Sequence, residues 1–174
     1  MKILYCNLAT EKIEEKPLED PLLGGRLLTS KLVSEMVPPQ ADPLGKENIL
    51  VFATGPLSGR NASTSSRLSV GTKSPLTKGV KESNAGGMAG DSLAALGYRA
   101  LVFTDVRPGA PVLFILDENG SRFVDATPYL GMWNSELAET LKNDIGEDYV
   151  CICNGPAGEN LYKASGIAVS SDPR

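Results

Sequence analysis

The sequence predicts an α+β domain with mixed β-sheets and a few helices, and three observations carry that expectation. Apolar runs of strand length recur along the chain, among them Lys2-Ile3-Leu4-Tyr5-Cys6-Asn7-Leu8 and Ile49-Leu50-Val51-Phe52-Ala53-Thr54. A few other stretches carry apolar residues at helical spacing instead. The order hairpin, helix, strand, Gly-Pro is written twice, and hairpins in each half beside single helices indicate α+β architecture. At 174 residues and 41% hydrophobic content the chain suits one domain with a buried core.

The first strand meets a turn at Ala9-Thr10-Glu11 and a short return strand near Lys12 to Lys16, a predicted hairpin. Leu22-Leu23-Gly24-Gly25 precedes a helix expected from about Arg26 to Met36, with Leu28, Leu32 and Met36 on one face. The apolar run from Ile49 to Thr54 ends in Gly55-Pro56, and a polar loop leads to the strand Arg67-Leu68-Ser69-Val70. Asn84-Ala85-Gly86-Gly87 then opens a predicted helix to about Leu96, followed by the strand Ala100-Leu101-Val102-Phe103.

The second half follows the same order. Pro111 to Leu116, the turn Asp117-Glu118-Asn119-Gly120 and a return strand from Ser121 to Asp125 form a second hairpin. Tyr129-Leu130-Gly131-Met132 precedes a helix from about Asn134 to Asp144, with Leu137 and Leu141 at helical spacing. Tyr149-Val150-Cys151-Ile152-Cys153-Asn154 runs into Gly155-Pro156, and Gly166-Ile167-Ala168-Val169 answers Arg67 to Val70. Pro75 and Pro173 fall at matching places. The expected division is one domain over 1–174, with a first repeat over about 1–106 and a partial second over about 110–174. The second stops before any counterpart of the piece from Asn84 to Phe103.

Seventeen basic residues against 21 acidic give a net charge of −4, with no Lys/Arg-rich stretch, so no nucleic-acid partner is expected. The N-terminus passes at once into a charged turn and no apolar run approaches membrane-spanning length, so a cytoplasmic protein without membrane contact is expected. Cys6, Cys151 and Cys153 are odd in number and lie in strand-like apolar runs, which reads as small buried hydrophobes rather than a disulfide framework. Cys151 and Cys153 share a strand face. Without a second ligand pair or any histidine they make a poor metal site.

Two features carry binding chemistry. The glycines of Asn84-Ala85-Gly86-Gly87-Met88-Ala89-Gly90 would leave first-turn amides uncovered for an anion, or would serve close helix packing with Asn84 as an N-cap. Neither nucleotide fingerprint is present, because Gly71-Thr72-Lys73-Ser74 has the wrong spacing. Arg67 follows the loop Asn61-Ala62-Ser63-Thr64-Ser65-Ser66 and offers a planar fork to a phosphate or heterocycle edge, or else is simply solvated. No carboxylate pair stands out for acid/base work.

Taken together, the motifs resemble those of the aldehyde ferredoxin oxidoreductase N-terminal domain. The similar stretches are Asn7-Leu8-Ala9-Thr10, Asp42-Pro43-Leu44 with Glu47-Asn48, Gly55-Pro56-Leu57-Ser58-Gly59 and Thr72-Lys73-Ser74-Pro75-Leu76-Thr77. Asn84-Ala85-Gly86-Gly87, Ala95-Leu96-Gly97-Tyr98 and Gly155-Pro156-Ala157-Gly158-Glu159-Asn160 complete the set. The resemblance implies two similar intertwined halves that form the floor under a tungsten bis-pterin cofactor of molybdopterin type. It implies that Arg67 lies between pterin and iron–sulfur cluster, and that the Asn84 backbone carbonyl helps hold a magnesium joining the pterin phosphates, with Ala85, Gly86 and Gly87 beside it. Thr64-Ser65-Ser66-Arg67 departs from the glycine-rich form common before that arginine.

The resemblance further implies that the complete enzyme oxidises aldehydes to carboxylic acids and passes electrons to ferredoxin through a [4Fe–4S] cluster. The cluster cysteines have no counterpart in this chain, so the isolated chain is expected to bind neither tungsten nor iron and to be inactive. It would need the remaining domains or a partner subunit. Alternatives are the same domain in an aromatic acyl-CoA reductase, or a stand-alone remnant acting in protein interaction; the coding sequence after Arg174 separates fragment from remnant. Self-association is expected through the Ile167–Val169 region or the cofactor-facing side.

Overall fold

A computed structural model describes residues 1–60, 62–107, 109–146 and 148–156, together with the backbone of 168–171. Six strands form one mixed sheet: β1 (Lys2–Asn7), β2 (Ile13–Pro17), β3 (Ile49–Thr54), β4 (Leu68–Lys73), β5 (Val80–Ala85) and β6 (Tyr98–Thr104). Their spatial order is β2-β1-β6-β3-β4-β5. Only β1 and β6 run parallel, and every other neighbouring pair is antiparallel. Beyond the sheet lie the hairpin of β7 (Val112–Asp117) with β8 (Gly120–Asp125), helix α3 (Asn134–Ile145), and the antiparallel pair of β9 (Val150–Cys153) with β10 (Ala168–Ser171). The α+β class and the mixed sheet agree with the sequence expectation.

Both hairpin turns have a local cause. Asn7 Oδ1 accepts from the Ala9 and Thr10 amides at 3.0 and 2.9 Å, and Asp117 Oδ1 accepts from the Asn119 amide at 2.8 Å. Each side chain thereby supplies part of the turn's own hydrogen bonding.

The sheet has two covered faces, and strand alternation decides which residue goes to which. Helix α1 (Gly25–Met36) lays Leu28, Leu32 and Val33 against Ile3, Val51, Ala53, Ala100 and Val102. Helix α2 (Ala89–Ala95) covers the other face, where Leu93 meets Phe52, Leu68 and Val70, and Leu116 and Val150 pack from the second half. Gly71 in β4 lets α1 approach, since a Cβ there would stand 2.6 Å from the Thr29 Cβ. Met36, expected on the buried face of α1, is 38% exposed because it falls at the helix end beyond the sheet contact.

Two of the motifs quoted from the sequence hold this frame together. Asn48 Nδ2 donates to the Pro43 and Lys73 carbonyls at 2.6 and 3.2 Å, while its Oδ1 accepts from the Lys73 amide at 3.1 Å. Ser74 Oγ accepts from the Leu76 and Thr77 amides, both at 3.2 Å, and shapes the turn after β4. Lys73, only 6% exposed, donates to the Pro38 and Pro39 carbonyls just past α1 at 3.3 and 2.5 Å.

The structure corrects one element. Asn84 and Ala85 do not open a helix; they end β5, opposite Ser69 and Leu68 of β4. Helix α2 begins only at Ala89, with Met88 as its N-cap residue and no side-chain cap bond. Ladder pairing with β4 takes the backbone that a cap at Asn84 would need, and Gly87 at φ +99° makes the turn between. Strand β5 escaped sequence reading because it is a polar, largely exposed edge strand without an alternating apolar signal. The motif residues 157–160 and the 166–167 stretch lie outside the described residues, as do the side chains of 168–171.

Candidate functional site

An open cleft of about 520 Å³ lies on the α1 side of the sheet, toward the β4–β5 edge. Gly25 and Arg26 at the start of α1 form one wall, and Gly55 after β3 contributes backbone. Thr64, Ser65 and Arg67 come from the loop before β4, and Ser69 and Asn84 from the paired strands β4 and β5. Among the described residues no carboxylate lines it.

The loop between β3 and β4 is held by its own hydroxyls. Ser58 Oγ donates to the Ser65 carbonyl at 2.8 Å, Ser65 Oγ to the Ala62 and Leu57 carbonyls at 2.8 and 3.1 Å, and Ser66 Oγ to the Gly87 carbonyl at 2.6 Å. Gly59 N–H donates to Asp91 of α2 at 2.7 Å. Thr64 sits at φ +59°, a left-handed conformation that is uncommon for a β-branched residue. Gly90 lets α2 meet this loop, since a Cβ there would come within 2.8 Å of the Ser66 carbonyl oxygen.

The charges around the cleft are unequal. Glu82, beside it on β5, is engaged by Arg26 Nε at 3.0 Å and by Asn84 Nδ2. Ser69 Oγ reaches Asn84 Oδ1 at 3.4 Å, which fixes the amide against the sheet. Arg67 is exposed and has no ion-pair or hydrogen-bond partner among the described residues. Behind Gly55, Arg99 is buried and donates through Nη1 to the Gly55 carbonyl. Burial lowers its affinity for its proton, and the neighbouring Arg60 charge lowers it further.

Of the residues singled out from sequence, the structure brings Arg67 and Asn84 to one cleft. Ala85, Gly86 and Gly87 are not among its lining; Gly86 is exposed, with open space around its Cβ position. Sequence reasoning missed Gly25, Arg26, Ser69 and Glu82. The Gly24-Gly25 pair at the start of α1 was the available signal: no side chain caps this helix start and no acidic residue occupies its first turn. The thiols stay apart from this site. Cys6 and Cys151 are buried, each pushed up to about 12 by burial, and the described residues hold no cluster of three His, Cys, Asp or Glu suited to a metal.

A cleft lined by two arginines, hydroxyls, an amide and glycine backbone is suited to a polar, anionic ligand. The chain belongs to the aldehyde ferredoxin oxidoreductase N-terminal domain family, whose profile matches residues 3–174. It is 36% identical over 171 residues to a tungsten-containing aldehyde ferredoxin oxidoreductase of Pyrococcus furiosus, and 37% identical to that of Thermococcus kodakarensis. In each case the match covers 95% of this chain and 28% of the relative. An aliphatic sulfonate oxidoreductase WOR-like subunit of Pyrococcus furiosus is 32% identical over 154 residues. Among solved structures, the active site complex BamBC of benzoyl coenzyme A reductase with 1,5-dienoyl-CoA superposes with a TM-score of 0.90 at 30% identity. That match covers 97% of this chain and 26% of the other. The chain thus spans about a quarter of its relatives' length. No described helix is long and apolar enough to cross a membrane.

Proposed function

We propose that this domain is the pterin-binding floor of a cytoplasmic tungsten enzyme that oxidises aldehydes to carboxylic acids with ferredoxin as electron acceptor. The observation that carries the reading is the convergence of Arg67, from the loop before β4, and Asn84, from β5, on one cleft whose described lining holds no carboxylate. Arg67, unpaired among the described residues, offers its fork to the pterin system or its phosphates. Asn84, held by Glu82 and Ser69, would present its backbone carbonyl to magnesium, which takes oxygen ligands and keeps phosphates in its shell. Beyond half-buried Ala85, the exposed Gly86 and Gly87 continue from Asn84 and would let a flat ligand approach closely. When bound, the tungsten centre supplies the redox chemistry and a [4Fe–4S] cluster held by residues outside this chain carries the electrons onward.

The same reading takes the chain as two related halves, about 1–106 and about 110–174. Its support is the repeated order of Asx-turned hairpin, helix and antiparallel strand pair. The remaining domains or a partner subunit would close the cleft. A second reading, the catalytic subunit of an aromatic acyl-CoA reductase, is favoured by the likeness to the benzoyl coenzyme A reductase complex.

The test uses the complete enzyme with Arg67→Ala. Loss of one charge-assisted contact should lower aldehyde oxidation by about 10- to 100-fold while leaving the melting temperature unchanged. Unchanged activity at full tungsten content overturns the assignment. Turnover of an aromatic acyl-CoA and none of aldehydes transfers the domain to the second reading.

A further inference from the structure

Arg99 enters the interior through an irregularity of the sheet. Along the β1–β6 pair, Lys2 opposes Tyr98 but Ile3 opposes Ala100, so Arg99 is the extra residue of a bulge. A bulge re-aims a side chain. Here Arg99 lies beneath the start of α1, where a Cβ on Gly24 would stand 3.2 Å from its Cδ. Its Nη1 donates to the Gly55 carbonyl, and Gly55 lines the cleft.

What this guanidinium lacks is an anion. It is 2% exposed, its Nε has no partner, and no carboxylate pairs with it among the described residues. Burying an unpaired charge is costly. Burial lowers the pKa of Arg99, and the like charge of nearby Arg60 lowers it further. On the cleft side of Gly55, whose described lining holds no carboxylate, an anionic ligand would supply the compensating charge.

We propose that Arg99 is a positioning residue for anion binding, holding the Gly55 backbone in place and supplying buried positive charge behind the cleft for a ligand's phosphate groups. This deepens the reading of the cleft as a pterin-phosphate site and rests on it. Arg99 touches no ligand directly; it acts through Gly55 and through its field.

The test is pyrophosphate binding by the full chain at matched ionic strength, followed by calorimetry and by melting temperature. The wild type should bind and be stabilised. Arg99→Met should weaken binding by about tenfold, the effect of one unit charge at low effective dielectric, without lowering the melting temperature of the unliganded chain. Arg99→Lys, which keeps the charge, should retain most of the affinity. A merely structural arginine predicts the opposite, a lower unliganded melting temperature and an unchanged pyrophosphate affinity. In the wild type, the NMR signal of the solvent-shielded Arg99 Nε–H should shift with the calorimetric midpoint, a readout that holds even if Arg99→Met fails to fold. No pyrophosphate binding by the wild type, equal binding by Arg99→Met, or an unmoved Nε–H signal overturns the inference. The cofactor reading stands or falls separately, on the tungsten content and activity of the complete enzyme carrying Arg67→Ala.

Discussion

The Phe114 ring of β7 stands edge-on to the Phe103 ring of β6, with centroids 5.2 Å apart and planes at 86°. Phe103 in turn meets Phe52 edge-on at 5.9 Å, and Phe114 meets Phe123 at 5.1 Å. One aromatic chain thus ties the second hairpin to the six-stranded sheet. Phe114→Ala should cost about 2 kcal/mol, less than a fully buried phenylalanine. A double-mutant cycle with Phe103→Leu, followed by urea unfolding, should return a coupling of about 1 kcal/mol. Additive single effects would mean the hairpin docks independently of this pair.

Gly71→Ala should destabilise by about 1–3 kcal/mol, because its Cβ would collide with Thr29 on the buried side of α1. Gly86→Ala meets nothing within 4 Å and should be close to neutral in the same assay. If both changes cost the same, close approach of α1 to β4 is not what Gly71 provides.

Lys73→Met should cost about 1–2 kcal/mol. The methionine stem still fills the space, but the Pro38 and Pro39 carbonyls after α1 lose their charged donor. Urea denaturation at neutral pH measures the loss, and an unchanged midpoint would show that water replaces the ammonium without penalty.

Alkaline pH should weaken the fold. Burial raises Cys6 from its ordinary value of 9.0 to about 12, and Cys151 shifts in the same direction. The folded thiols stay protonated where the unfolded ones ionise, so their contribution is complete below pH about 9 and is lost as pH rises toward about 12. Urea midpoints at pH 8 and pH 10.5 should therefore fall further apart for the wild type than for Cys6→Ala. A Cys6→Ala variant with the same alkaline loss would remove Cys6 from the account.

Local patterns in the chain were sufficient for most elements. Asn7 and Asp117 announce their turns because the hydrogen bonds that make those turns come from residues two or three positions away. Leu28 and Leu32 announce α1 because helical spacing and one-sided burial are the same fact seen twice. Motif order was also enough for the family, since the matched stretches run nearly the whole length of the chain.

Only the tertiary structure decided the rest. Strand β5 carries no apolar alternation, being a polar edge whose reason to be extended is the ladder offered by β4, so Asn84 joined the sheet rather than capping a helix. The wall formed by Gly25 and Arg26 depends on α1 crossing the sheet so that its uncapped end meets β4 and β5, a relation between segments far apart in sequence. Arg99 shows the limit most clearly. The sequence reading begins the strand only at Ala100, and what turns the guanidinium inward is a one-residue slip between β1 and β6. Such a slip belongs to the pairing of two strands, so neither strand's own sequence records it.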